Sequence, residues 1–136
     1  MPDLSLIQPG MIGTSTLTVA PDYTAPRVGS GRIVVLATPV MINVIEAAAL
    51  AAMEHLLPEG HQSLGIHLDV RHFAATPVGL TVTATAEVTA IEGRTITFRV
   101  EARDDCEAIG DGTHQRVVVN VDRFDQRVQR KLNGAA

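Results

Sequence analysis

Three side chains between Thr38 and Pro77 carry chemistry in apolar surroundings. Thr38 opens a helix as Ala37-Thr38-Pro39, and Glu46 interrupts Val44-Ile45-Glu46-Ala47-Ala48-Ala49. His72 closes Ile66-His67-Leu68-Asp69-Val70-Arg71-His72. Burying a hydroxyl, a carboxylate and an imidazole costs free energy unless they are paired. Together they make a constellation for acyl transfer. Imidazole has a pKa suited to moving protons. A half-buried carboxylate can act as base, nucleophile or partner to the imidazole. A helix N-terminus stabilises developing negative charge.

Each residue also has a plainer reading. His72 shares a face with Ile66, Leu68 and Val70, as a core histidine bonded to backbone would. Phe73 breaks that alternation, which predicts a bulge nearby. Glu46 could be a solvent-facing helix position, although Ile42, Asn43, Ala49 and Leu50 on its stripe are mostly apolar. Thr38 could simply cap the helix. Eight residues separate Thr38 from Glu46, about 12 Å on a straight helix. Either the regular helix begins after Thr38, or two subunits complete one site. Gly65 is either loop geometry or a bare backbone N–H for a thioester oxygen. Gly110-Asp111-Gly112 reads as a bulge. His114 and Arg116 alternate onto one face, expected to be exposed, and Arg116 is the candidate contact for an anionic substrate.

The elements that must position these groups follow from periodicity. Met11 to Val19 reads as a strand and Pro21 to Arg32 as a loop long enough to cover something. A helix runs from Thr38-Pro39 to about Leu57 and stops at Pro58-Glu59-Gly60. Its apolar face is Met41, Val44, Ile45, Ala48, Ala52, Met53 and Leu56. Strands follow at Ile66–Phe73, Leu80–Ile91, Thr95–Arg103 and Ala108–Val121. Val82, Ala84, Ala86, Val88 and Ala90 share one side of the second of these. Ile96, Phe98 and Val100 point inward in the third. Glu92-Gly93-Arg94 is a hairpin turn, and Phe124 to Leu132 a short amphipathic helix. The pattern predicts an α+β fold, an antiparallel sheet of about five strands wrapped round one long helix, in a single domain over 1–136. Such a sheet leaves open edges, so at least a homodimer is expected.

Composition narrows the partners. The chain has 136 residues, a net charge of −4, no Trp, one Tyr and three Phe. A stacking platform for single-stranded nucleic acid and a polyanionic main partner are both disfavoured. A local basic patch could still hold the phosphates of a small cofactor. Cys106 is the one cysteine, in an acidic turn that does not favour thiolate chemistry. The five His are scattered, without a His-x-x-x-His pair, so no metal is expected. Ser63-Leu64-Gly65 lacks the first Gly of a serine-nucleophile elbow. No apolar run reads as a membrane span and the N-terminus lacks a signal-peptide layout, so the cytoplasm is the expected location.

Several of these runs resemble one family together. They are Ala37-Thr38-Pro39, Glu46, Ser63-Leu64-Gly65, His72-x-Ala74-Ala75-Thr76-Pro77-x-Gly79-Leu80-Thr81-Val82-Thr83, Glu92-Gly93-Arg94 and Ile109-Gly110-x-Gly112-Thr113-His114-x-Arg116. From about Gly29 onward the chain resembles the fluoroacetyl-CoA thioesterase group of hotdog-fold proteins. The resemblance implies a hotdog dimer that hydrolyses acyl-CoA, with sites at the subunit interface and no cofactor beyond the coenzyme A of its substrate. It places the family's catalytic threonine, glutamate and histidine on Thr38, Glu46 and His72, and its thioester carbonyl contact on Gly65. The family's fluoroacetyl-CoA enzyme carries a longer segment before the threonine, with a phenylalanine lid. Ala25 to Leu36 is shorter here and has no Phe. A small or medium acyl group is therefore expected rather than fluoroacetyl selectivity. The alternatives are a hotdog dimer that binds acyl-CoA without turnover, and a hotdog hydratase.

Overall fold

Residues that alternate apolar and polar along the second half of the chain pair into one antiparallel sheet. The computed structural model describes residues 1–134. Strands β1 (Ile12–Thr18), β2 (His61–His72), β3 (Thr81–Glu92), β4 (Thr95–Arg103) and β5 (Ala108–Asn120) lie in the order β1-β3-β4-β5-β2. Helix α2 (Thr38–Met53) crosses one face of the sheet, chiefly over β1 and β3. A four-residue helix α1 (Ala25–Val28) precedes it, and α3 (Val121–Leu132) ends the described chain.

The core forms where the two periodicities meet. Met41, Ile45, Ala48 and Met53 of α2 pack on Val82, Ala84, Ala86 and Val88 of β3 and Ile96, Phe98 and Val100 of β4. Fully burying the Met, Ile, Val and Phe side chains among these is worth about 1.5–3 kcal/mol each, and the alanines contribute less. The alanines let α2 settle close to the sheet, and Gly13 completes the fit on β1. A Cβ there would run into the backbone at Ala48 and Ala52. Thr38–Leu56 has the length and mean hydropathy of a membrane span, contrary to the sequence expectation, but its apolar side is the core of this sheet.

The structure departs from the sequence reading where the period slips. The helix begins at Thr38 itself, capped by Ala37, so Thr38 is helical and its hydroxyl does not cap. Strand β2 starts at His61, five residues before the predicted start, and its bulge falls at Ile66 rather than near Phe73. That extra residue puts Gly65 on the same face as Leu68, Val70 and His72. A second irregularity at Thr89 removes Ala90 from the core face, and Ile91 replaces it opposite Ile96. Gly110 and Gly112 pair continuously with β2, and the irregularity lies beside them, at Ile109 against β4. α3 starts at Val121, three residues early, because Asn120 caps it by accepting the N–H of Arg123 at 3.1 Å.

Two features set the stage for the site. The loop Pro21–Arg32 is ordered by α1, which Gly29 stops in a left-handed conformation (φ 93°). Ala25 N–H then donates to Val35 O at 2.9 Å, and Ala37 N–H to Tyr23 O at 2.9 Å. The segment thereby arches back to the start of α2. Strand β2 forms an open edge of the sheet and leaves Leu64, Ile66 and Leu68 exposed.

Candidate active site

Thr38 and His72 meet directly. The Thr38 hydroxyl lies 2.8 Å from His72 Nδ1. The loop after His72 fixes this geometry. Thr76 is fully buried, and its carbonyl accepts the N–H of Leu36 at 2.8 Å, just ahead of Thr38. Its hydroxyl donates to Asp104 Oδ2 at 2.9 Å, which ties the loop to the β4–β5 turn. The run from His72 to Pro77 therefore mixes one reactive residue with one structural anchor.

His72 Nε2 is buried and has no hydrogen-bond partner. Burial lowers the His72 pKa from its ordinary 6.5, and a backbone hydrogen bond at Ala74 offsets this only in part. The ring is therefore neutral near pH 7, with one nitrogen held by Thr38. It adjoins an open cavity of about 320 Å³ lined by Ile33, Val35, Leu36, Ala74 and Ala75. Much of that wall comes from the arch before α2.

Glu46 belongs to a second cluster, two turns along α2. Its Oε2 accepts from Arg116 Nη1 at 3.1 Å and stands 3.9 Å from His114 Nε2. His114 is fully buried and stacks on Phe98, with ring centroids 5.9 Å apart. Its Nδ1 lies 2.9 Å from the His67 carbonyl, so Nδ1 must donate and Nε2 is left to accept from Arg116 at 3.2 Å. Burial, foremost, keeps this imidazole below its ordinary pKa; Arg116 also lowers it, against opposing effects of the His67 hydrogen bond and Glu46.

Arg116 is the hub of this cluster. Nε donates to Ser63 Oγ at 2.8 Å and Nη2 to the Ser63 carbonyl at 3.2 Å. Ser63 in turn donates its hydroxyl to Glu54 Oε1 at 2.5 Å. The expected exposed face at His114 and Arg116 is thus wrong: both are buried, because β5 is an inner strand whose even positions face α2. Arg116 is committed to Glu46 and Ser63 rather than to an open anion site. Ser63 and Glu54 were not among the sequence candidates. In the sequence Ser63 stands only in the Ser63-Leu64-Gly65 run, which lacks the nucleophile elbow and gives no sign of a tie to Arg116. The clue that could have found its role is its place on β2 one pair removed from Gly65.

Gly65 faces Glu46. A Cβ at this position would lie 2.5 Å from Glu46 Oε2 and 3.2 Å from His114 Cε1. Only the absent side chain lets the carboxylate approach the strand. The structure therefore brings together Thr38 with His72, and Glu46 with Gly65, Arg116 and His114. It does not join the two clusters within one protomer, since they sit about 12 Å apart along α2 and farther along β2. Among the described residues no group of three or more His, Cys, Asp or Glu could hold a metal ion. Cys106 is exposed.

The profile of the family described as FlK, fluoroacetyl-CoA-specific thioesterase, matches residues 19–122. A fluoroacetyl-CoA thioesterase from Streptantibioticus cattleyicolor is 45% identical over 97 residues, covering 71% of this chain and 70% of that protein. The solved structure of the fluoroacetyl-CoA thioesterase FlK superposes with a TM-score of 0.87 at 37% identity, covering 92% of this chain and 97% of that one. A variant of FlK in complex with acetyl-CoA superposes with a TM-score of 0.86 at 37% identity, covering 92% and 98%.

Proposed function

The chain belongs to the fluoroacetyl-CoA-specific thioesterase family of hotdog proteins, and from that premise we propose that it hydrolyses a small or medium acyl-CoA at a site completed by two protomers. It is a thioester hydrolase of the acyl-CoA class. Water adds its oxygen to the thioester carbonyl, the C–S bond breaks, and the departing CoA sulfur takes up a proton.

The observation that carries the reading is Glu46, held by Arg116 against the bare face of Gly65. In this reading Gly65 N–H receives the carbonyl oxygen as it gains charge. Glu46 activates water or attacks the carbonyl. His72, oriented by Thr38, moves the proton through its unpartnered Nε2.

The spacing of the two clusters supports a homodimer. Strand β2 carries Gly65 near its middle and His72 at its end, and its outer edge is free. Antiparallel pairing of β2 with its two-fold copy, centred between these residues, lays the His72 end of one strand beside the Gly65 end of the other. Thr38 and His72 of one protomer then face Glu46 and Gly65 of its partner. The same pairing covers Leu64, Ile66 and Leu68.

The segment before α2 gives the wall beside His72 only aliphatic bulk, from Ile33, Val35 and Leu36, and the one phenyl ring lining the cavity is Phe73, next to His72 itself. That favours selection by size rather than by fluorine. The test is CoA release, followed with a thiol dye, from acyl-CoAs of graded length including fluoroacetyl-CoA. His72-dependent turnover with a preference set by chain length is expected. Binding of acyl-CoA without release, by a folded dimer, would sink the hydrolase reading.

A further inference from the structure

Glu54, the residue that closes α2, has no part in the reaction described above, yet both of its carboxylate oxygens are engaged by one partner. Oε2 accepts the N–H of Ser63 at 2.9 Å, and Oε1 accepts the Ser63 hydroxyl at 2.5 Å. Two donors on one residue suit a carboxylate and not its amide, which has a single acceptor oxygen. With its proton directed to Glu54, the Ser63 hydroxyl presents only lone pairs to its other neighbour. That neighbour is Arg116, whose Nε donates to Ser63 Oγ at 2.8 Å and whose Nη2 donates to the Ser63 carbonyl at 3.2 Å. One edge of the planar guanidinium is thus clamped. Its remaining nitrogen, Nη1, is left aimed at Glu46 Oε2, 3.1 Å away.

The chain Glu54–Ser63–Arg116–Glu46 runs back along α2 between two carboxylates eight residues apart, about 12 Å of helix. Ser63 and Gly65 share the face of β2 turned to α2. Arg116 pairs with Gly65 across the ladder, so its side chain reaches diagonally to Ser63. Nη1 passes over the bare face of Gly65, 3.5 Å from where a Cβ would stand, and also donates to His114 Nε2 at 3.2 Å. The indirect link matters. Arg116 is buried and forms its ion pair with Glu46, whereas Glu54 reaches it through the hydroxyl. A direct pair between Glu54 and Arg116 would draw the same cation away from Glu46. With Ser63 between them, Glu54 sets the direction of the guanidinium and leaves its charge to Glu46.

We infer that Glu54, acting through Ser63 and Arg116, is a positioning residue that sets where the Glu46 carboxylate stands over Gly65. Its effect on turnover rests on the thioesterase reading; the alignment of Arg116 rests on the hydrogen-bond chain alone. A displacement near 1 Å at the reacting groups costs about 10²-fold in rate, so a residue remote from substrate can govern kcat.

The test compares the full-length protein with Glu54→Gln, Ser63→Ala and the double variant, using acyl-CoA as substrate and far-UV dichroism to follow folding. In Glu54→Gln the kcat should fall about 10- to 100-fold. The KM should stay unchanged, because the chain acts on the transition state and not on substrate binding. The double variant should be no slower than Ser63→Ala alone, since both changes break one chain. Nuclear magnetic resonance of isotope-labelled protein gives a readout free of turnover. The Arg116 Nε–H signal, assigned by its absence in Arg116→Lys, should exchange slowly with water in the wild type and fast in Glu54→Gln. An unchanged kcat in Glu54→Gln, a loss that tracks unfolding, losses that multiply in the double variant, or an Nε–H as protected as in the wild type would each overturn the assignment. Protection of Nε–H that depends on Glu54 in a protein that releases no CoA would uphold the alignment of Arg116 while rejecting the hydrolase reading.

Discussion

His72 and His114 are both imidazoles with pKa values lowered by burial, yet they are equipped for different work. His114 has both ring nitrogens engaged, one by the His67 carbonyl and one by Arg116. His72 has Nδ1 at Thr38 and Nε2 free. Of the two, only His72 keeps a ring nitrogen without a partner, so His72→Ala should lower kcat by about 10²–10⁴-fold, measured as CoA release. The pH profile follows from its lowered pKa. The neutral base is present above that value and lost as pH falls through it, so the acid limb of kcat/KM should lie below 6.5. A limb centred above 6.5 would show that another group controls the rate. Gly65 yields a second test. The Cβ of Gly65→Ala would push on the Glu46 carboxylate, and a displacement near 1 Å costs about 10²-fold in rate. The Tm should change little, because the contact is with the end of a side chain rather than with backbone.

Elements position these residues through a few contacts that periodicity alone does not reveal. Thr76 joins the loop after His72 to Asp104. Burial pushes the Asp104 carboxyl up, but the N–H groups of Cys106 and Glu107, the Thr76 hydroxyl and nearby Arg103 outweigh it and hold the pKa below 3.8. The charged form is therefore favoured by folding. Its contribution is present above pH 3.8 and is lost as pH falls through the folded value. Asp104→Asn should cost about 1–3 kcal/mol at neutral pH, with the Tm gap to wild type closing in acid. Calorimetry across pH 2–7 checks this. The helix, the inner strands and the resemblance of the motifs were readable because each rests on local pattern: Thr38-Pro39, the alternation of Val82 to Val88, and the His72-x-Ala-Ala-Thr-Pro run. The bulges at Ile66 and Thr89 were not, because a bulge is set by how two strands are staggered. The same holds for His114 and Arg116. Their alternation was visible, but whether that face was buried depended on β5 lying between β4 and β2.

At the scale of the whole molecule, the single protomer leaves three features unresolved at one place. Strand β2 has an unpaired edge, its apolar side chains Leu64, Ile66 and Leu68 are exposed, and the Thr38–His72 pair stands apart from Glu46 and Gly65. The two-fold partner along β2 proposed above would answer all three. Free strand edges invite pairing, burial of apolar surface contributes about 25 cal/mol per Å², and an antiparallel register would bring complementary half-sites together. Leu68 lies between the two half-sites on β2, close to the two-fold axis this arrangement requires. Leu68→Lys would set two ammonium groups near each other across that axis in place of apolar contact. The expected outcome is a monomer by analytical ultracentrifugation, with the far-UV dichroism of the wild type and no CoA release. The sharper test mixes two inactive variants, His72→Ala and Glu46→Gln. In a mixed dimer one of the two sites is assembled from Thr38 and His72 of the Glu46→Gln chain and Glu46 and Gly65 of the His72→Ala chain, so it is intact. Random exchange makes half of the dimers mixed, so about a quarter of wild-type activity per site should return. No recovery, with subunit exchange shown by fluorescence transfer, would mean that each protomer carries its own site and that the dimer only covers the apolar edge.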